Sequence, residues 1–290
     1  MPRISMLPTL FREVLGREIL PREPEPALVM DDEEQVKAYA EAGRIDGVMS
    51  AAYLFHSARI SATIAGRDKV LDLGCGPATQ LAQVAQLNPG STFTGVDLSE
   101  QMLSDAKQYV KNLDIDNVDF RQGDFSCLDQ FETASFDAVI STMALHHLPT
   151  FAHLQACFRE IARVLRPGGA IYITDFGRLK SLKSVIFFAY LNKRHQPHSF
   201  SLDYERSLRA AFTLSDFIEL AKEVFGDKVQ VYSTFGIPIL VIIKTPDGDL
   251  PGSTAARVRQ MRGDLPLKYR RELDDIRLFF RLSGLRGDPF

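Results

Sequence analysis

The 290-residue sequence predicts a doubly wound α/β fold: a mostly parallel seven-stranded sheet with a final antiparallel strand, N-terminal helical additions, a cap insertion and a C-terminal helical tail. Three observations predict it. Short apolar runs alternate with amphipathic helical segments from Lys69 onward, an order that requires parallel strands with right-handed crossovers and a sheet covered on both faces. The first of these strands ends in a glycine-rich turn. The last two apolar runs lie too close together for a parallel crossover and must pair antiparallel.

Taken in order, residues 4–20 read as a helix, and Pro21, Pro24 and Pro26 then mark an arm or linker that cannot be helical. Segments 31–42 and 45–65 are helical in composition. In the second, Val48, Ala52 and Phe55 recur at helical spacing and predict one packed face, with Tyr53 and His56 on a different face. Strands are expected at 69–73, 92–96, 118–122, 137–141 and 170–174, separated by helices at 78–87, 99–111 and 151–165. Residues 176–212 break the rhythm with an apolar run at 185–191 and a polar stretch holding His195, Pro197 and His198, a cap over the sheet edge. A helix follows at 213–225, with Thr213 or Ser215 as N-cap and Gly226 as its stop. Strands at 228–234 and 237–243, joined by Phe235 and Gly236, close the sheet. After Pro251 a charged tail ends in a helix with Tyr269, Leu273, Ile276 and Phe280 on one face. The expected units are 1–65 (arm and lid helices), 66–245 (ligand-binding domain, cap at about 177–212) and 246–290 (tail).

Composition narrows the function. A net charge of -3 with 24% charged residues gives no global attraction to a polyanion, so nucleic acid is not expected as a partner. Cys75, Cys127 and Cys157 show neither zinc spacing nor a disulfide count, which fits a reducing cytoplasm. No apolar run approaches the roughly 20 residues of a spanning helix, and the N-terminus lacks a signal pattern. The arm and the tail are the segments that would carry any self-association.

The chemistry concentrates at strand ends. In Val70-Leu71-Asp72-Leu73-Gly74-Cys75-Gly76-Pro77-Ala78, Gly74 and Gly76 let the backbone turn sharply and a ligand lie against it, with Cys75 lining the turn. A dinucleotide loop would place glycine where this chain has Thr79, and Asp72 would repel a pyrophosphate. A ligand bearing an ammonium and a sulfonium suits that carboxylate better, which favours S-adenosylmethionine over NAD. At the next strand end Asp97 can accept from both ribose hydroxyls and Leu98 can pack on adenine; Asp124 and Phe125 follow the third strand, and Ser141 and Thr142 end the fourth.

Together these segments resemble the class I S-adenosylmethionine-dependent methyltransferases, particularly the small-molecule branch. The resemblance rests on LDLGCGPA, GVDLS with the following Met102-Leu103, GDF, FDAVISTMALHHL and VLRPGGA, spanning about 69–175; the helix and strand pair at 213–243 agree with it. It implies a Rossmann-like domain over 66–245, S-adenosylmethionine held by Asp72, Gly74, Cys75, Gly76, Asp97, Leu98, Met102, Asp124, Phe125, Ser141 and Thr142, and methyl transfer to a small-molecule acceptor. Ala78 stands where the family often has a third glycine. Candidate bases are His146, His147 and Asp175, each weighed against a structural role; Tyr53, His56 and His147 are candidates for lining the lid. No metal is expected, since His195 and His198 in a polar insertion read as solvated. The acceptor is not legible, and methylation of a protein, RNA or lipid, or a noncatalytic cofactor-binding subunit, stays as the alternative.

Overall fold

The computed structural model describes residues 6–26 and 47–290; the helix expected at 31–42 lies outside the described residues. Ahead of the sheet come α1 (Leu7–Leu15) and α2 (Ser50–Thr63). The alternating body follows as β1 (Lys69–Leu73), α3 (Thr79–Leu87), β2 (Thr92–Asp97), α4 (Glu100–Asn112), β3 (Val118–Gln122), β4 (Phe136–Thr142), α5 (Phe151–Val164) and β5 (Leu165–Phe176). The cap contributes α6 (Leu182–Ala189) and α7 (His198–Ala210), and α8 (Leu214–Phe225), β6 (Gln230–Ser233) and β7 (Leu240–Lys244) complete the sheet. The tail forms α9 (Gly252–Asp264) and α10 (Leu267–Leu282).

The seven strands are ordered β3-β2-β1-β4-β5-β7-β6, with β7 antiparallel to both its neighbours and the rest parallel. Strand order reverses between β1 and β4, and at such a switch point the diverging crossovers leave a crevice at the carboxyl ends of the strands. Side chains alternate between two cores. Val70, Ile140 and Tyr172 face one that includes Leu54 and Phe55 of α2, whereas Leu71, Val139 and Ile173 face one built with Phe158 of α5 and Phe217 of α8. Thr213 caps α8 with a full capping box, its hydroxyl accepting from Asp216 N while Asp216 accepts from Thr213 N.

Several elements depart from the sequence reading. The first helix is shorter than 4–20, because Gly16 turns extended and its N–H closes on Arg12 O. α2 is buried on nearly every side instead of on one face, since the sheet lies on one side and α10 on the other. Phe55 is its core residue, and Val48 and Ala52 line a cavity. β5 extends back to Leu165, which pairs with Phe136 across a register shift. The link between β6 and β7 is not a two-residue turn: the Thr234 hydroxyl bonds Ile237 O, and Ile237 packs into the cap cluster instead of the strand. The tail is two helices, and Leu265, Tyr269, Leu273 and Phe280 join the same core as α2. Among the described residues no helix is long and apolar enough to cross a membrane.

Candidate active site

β1 delivers Asp72 and the glycine turn to the crevice. Gly74 takes φ +72, and a Cβ there would sit 2.3 Å from Ala144 Cβ, so the turn after β4 presses directly on it. The Gly74 and Cys75 N–H groups both donate to Val96 O, at 2.8 and 3.0 Å, and lock the turn to the end of β2. Gly76 N donates to Asp97 Oδ2 at 2.8 Å and Ser99 N to Asp97 Oδ1 at 3.0 Å, so Asp97 is held half-exposed beside the glycines. Ala78 fills the family's glycine position in a left-handed conformation, φ 58, which costs an alanine about 1 kcal/mol.

Tyr53, Asp72, Gly74, Cys75, Gly76, Thr79, Gln80, Thr142 and Met143 line one cleft. Within this group three buried polar atoms lack any hydrogen-bond partner: Asp72 Oδ1, Thr79 Oγ1 and Gln80 Nε2. Such atoms normally find partners, so the cleft is shaped for a polar ligand that supplies them. Burial first, and then the charge of Asp97, pushes the Asp72 carboxyl up to about 7. A cation in the cleft relieves both effects, which fits the ammonium of a methionine moiety. Burial followed by Asp72 and Asp97 pushes the Cys75 thiol well up, so it stays protonated and unreactive.

The other expected ligand residues divide. Leu98 is half-exposed next to Asp97, and Phe125 stands 3.5 Å from where a Gly74 Cβ would be, beside the glycine turn. Asp124 is exposed, with Oδ1 accepting from Ser126 N and Oγ at 2.7 Å in a local turn. Met102 is buried, its N–H donating to the Ser99 cap of α4. Ser141 corrects the reading: it is fully buried and its hydroxyl donates to Leu73 O at 2.8 Å, so it ties β4 to β1 instead of facing a ligand. His56 is a second correction. It lies in the core, its Nδ1 2.8 Å from the Tyr172 hydroxyl, and burial, then Arg59, lowers its pKa to about 3. Tyr53, one helical step away on α2, reaches the cleft instead.

A second, larger cavity of about 280 Å³ adjoins the first, and Met143 lines both. Met143 has φ 54, a strained position for a non-glycine residue at the point where the two spaces meet. The cavity walls are mainly apolar, with Phe176, Phe188, Leu191, Tyr204, Ile237 and Phe279 among them, and His146 and His147 also line it. His146 Nδ1 bonds Asp175 Oδ1 at 2.8 Å and its backbone N donates to Asp175 Oδ2 at 3.0 Å. Asp175 Oδ1 also accepts from Phe176 N, so this buried carboxylate is committed to holding the histidine loop.

His147 has a partner that the sequence did not announce. Its Nδ1 lies 2.5 Å from Glu25 Oε2, and Glu25 Oε1 accepts from Ser207 Oγ at 2.9 Å. Burial lowers the imidazole pKa, but the hydrogen bond and charge of Glu25 outweigh it and leave His147 raised; Glu25 is correspondingly held low against its own burial. Arg22 fixes the arm that carries Glu25 by donating to the carbonyls of Ala210, Pro149, His146 and Leu148 at 2.5–3.0 Å. Glu25, His146 and His147 are also the described residues whose ligand-type atoms approach within 4.8 Å of one another; His195 and His198 are exposed and take no part.

A methyltransferase domain family matches residues 64–226, more than half of the chain and the whole span from the end of α2 to the end of α8. The chain belongs to the methyltransferase domain family. S-adenosylmethionine is the cofactor of that family, and the orphaned atoms of the cleft fit it. Among curated relatives, 27-O-demethylrifamycin SV methyltransferase of Amycolatopsis mediterranei is 36% identical over 38% of this chain and 39% of its own length. Sterol 24-C-methyltransferase of Saccharomyces cerevisiae is 33% identical over 42% of this chain and 30% of its own. The match thus spans well under half of either relative. A SAM dependent methyltransferase from Aquifex aeolicus shares the fold, with a TM-score of 0.52 at 14% identity over 74% of this chain and 98% of that one. Glu25 and Arg22 lie before the matched residues, on the arm.

Proposed function

We propose that this methyltransferase-domain chain binds S-adenosylmethionine in the crevice at β1, β2 and β4 and methylates an apolar small molecule seated in the adjoining cavity. The observation that carries this reading is the meeting of the two spaces at Met143, one with unsatisfied polar atoms and one walled by apolar side chains. The two curated relatives described above are named for a rifamycin and a sterol, both bulky small molecules. Residues 66–245 form the catalytic domain in this reading, with the arm at 6–26 part of its lid, α2 in its core and 246–290 a buttress.

When bound, the cofactor supplies a methyl group on a sulfonium, already activated for in-line displacement. The chain's own residues position and exclude water; orientation of this kind contributes about 7–11 kcal/mol. Asp97 takes the ribose hydroxyls, Asp72 the ammonium, and Leu98 and Phe125 flank the adenine, with Asp124 at its amino edge. His147 is the base: with Nδ1 donating to Glu25, its Nε2 is the nitrogen left to take a proton from an acceptor hydroxyl or ammonium. His146 and Asp175 position the loop that carries it.

Isothermal titration tests the cofactor assignment. S-adenosylmethionine and S-adenosylhomocysteine should both bind, and Asp97→Ala should weaken binding at least about tenfold, equivalent to about 1.4 kcal/mol. Binding of NAD in their place, or affinity unchanged in Asp97→Ala, would overturn it. Transfer of labelled methyl groups to a panel of macrolactams, sterols and phenols then identifies the acceptor class.

A further inference from the structure

α1 carries apolar side chains on both sides: Leu10 packs inward against the cap cluster, and a second apolar face is left outward. Thr9 and Glu13 face inward, Glu13 at 1% exposure with its carboxylate accepting from Lys180 N at 2.8 Å. Leu7, Phe11, Val14 and Leu15, spaced to share one helical face, turn outward, with Phe11 61% and Leu15 74% exposed. The neighbouring α6 adds exposed Leu182 and Ile186, and the exposed Phe235 sits on the loop whose Gly236 packs against Leu10 and Val14. Scattered exposed apolar residues are ordinary, but a contiguous face of this kind marks an interaction surface.

The charge next to it is equally one-sided. From Gly177 to Leu202 the chain carries Arg178, Lys180, Lys183, Lys193 and Arg194 and no Asp or Glu, within a protein whose net charge is -3. Arg178 and Lys180 are engaged by Ala211 O and Gly16 O, whereas Lys183, Lys193 and Arg194 are exposed. The same elements wall the larger cavity, through Met6, Phe188, Leu191 and Phe235.

We infer that the α1–α6 face docks on an anionic lipid bilayer, with its apolar side chains at headgroup depth and its cavity open to a lipophilic acceptor held in the membrane. An apolar face flanked by lysine and arginine is the chemistry that interfacial binding requires, each basic residue near an anionic surface adding to the attraction. A second copy fits less well: a two-fold contact would set the same cationic cap against itself. Entry of the acceptor rests on the reading of the cavity given above; docking does not.

The test is sedimentation of the full chain with vesicles of phosphatidylcholine alone and of phosphatidylcholine mixed with phosphatidylglycerol. The chain should pellet with the mixed vesicles and be released by high salt. Phe11→Ser with Leu15→Ser should bind at least about tenfold more weakly, and Lys183→Glu with Lys193→Glu should lose the preference for anionic lipid, both with unchanged S-adenosylmethionine affinity. A chain that stays in the supernatant with every vesicle, or a Phe11/Leu15 variant that pellets like the original, overturns the inference. So does a dimer in sedimentation velocity that the Phe11/Leu15 variant converts to monomer, which would assign the face to a second copy. Loss of cofactor binding in the parallel titration would instead overturn the methyl-transfer reading and leave the vesicle result standing.

Discussion

Asp72 combines a buried carboxyl, an unpartnered oxygen and a pKa pushed up to about 7. Without a cation the raised folded-state value makes its contribution to stability greatest at low pH and lost as pH rises through about 7. A ligand ammonium lowers the pKa again, so binding releases a proton over that range. Affinity for S-adenosylmethionine should therefore rise with pH up to and past 7, titrations in buffers of different ionisation heat should reveal the released proton, and Asp72→Asn should abolish both effects. His147 gives a second pH signature. Its pKa lies above the ordinary 6.5, and transfer to a hydroxyl acceptor should rise with pH through that raised value; Glu25→Gln should move the profile toward lower pH, as measured by initial rates or by NMR titration of the imidazole. Gly74 tests the turn itself. Gly74→Ala at φ +72, against Ala144, should cost about 1–3 kcal/mol in urea unfolding and weaken cofactor binding.

Among the elements, the arm changed most between sequence and structure. Its three prolines correctly mark it as non-helical, yet nothing local shows that Glu25 meets His147 across 122 positions or that Arg22 holds four carbonyls of the histidine loop and cap. Arg22→Ala should loosen both partners, seen as faster hydrogen exchange at the arm and at 145–149 with little change in the sheet. Charge makes this clip pH-dependent. His147 is raised, so its share is lost as pH climbs through a value above 6.5; Glu25 is lowered, so its share is lost as pH falls through a value below 4.5. Arm protection should be greatest between those limits. The strands of the domain were, by contrast, legible to within a residue or two at β1, β2, β3 and β4, because each is a short β-prone segment, apolar in β1 and β4 and alternating in the edge strand β3, set between helical or turn-forming stretches.

At the scale of the molecule, the tail is part of the core. Phe280 is fully buried and stacks on Phe55 at 5.3 Å between ring centroids, so α10, α2 and the sheet share one apolar cluster. Phe280→Ala should cost about 3–5 kcal/mol, with a single urea transition whose midpoint falls while its slope stays unchanged. A separate early transition would show a tail that folds on its own. The cap and arm build a third cluster around Phe176, Leu179, Val185 and Phe188, and Phe176 and Phe188 of this cluster wall the larger cavity together with Ile276 and Phe279 of α10.

The sequence by itself determined the strand order's raw material, the glycine turn and the acids at the strand ends, because these depend on periodicity and on backbone conformations that only certain residues tolerate. Tertiary structure decided which of those side chains face the crevice. It turned Ser141 and His56 into core groups, brought Glu25 to His147, and set Met143 between two cavities. A side chain's surroundings are made by segments far away along the chain, and no local pattern carries that information.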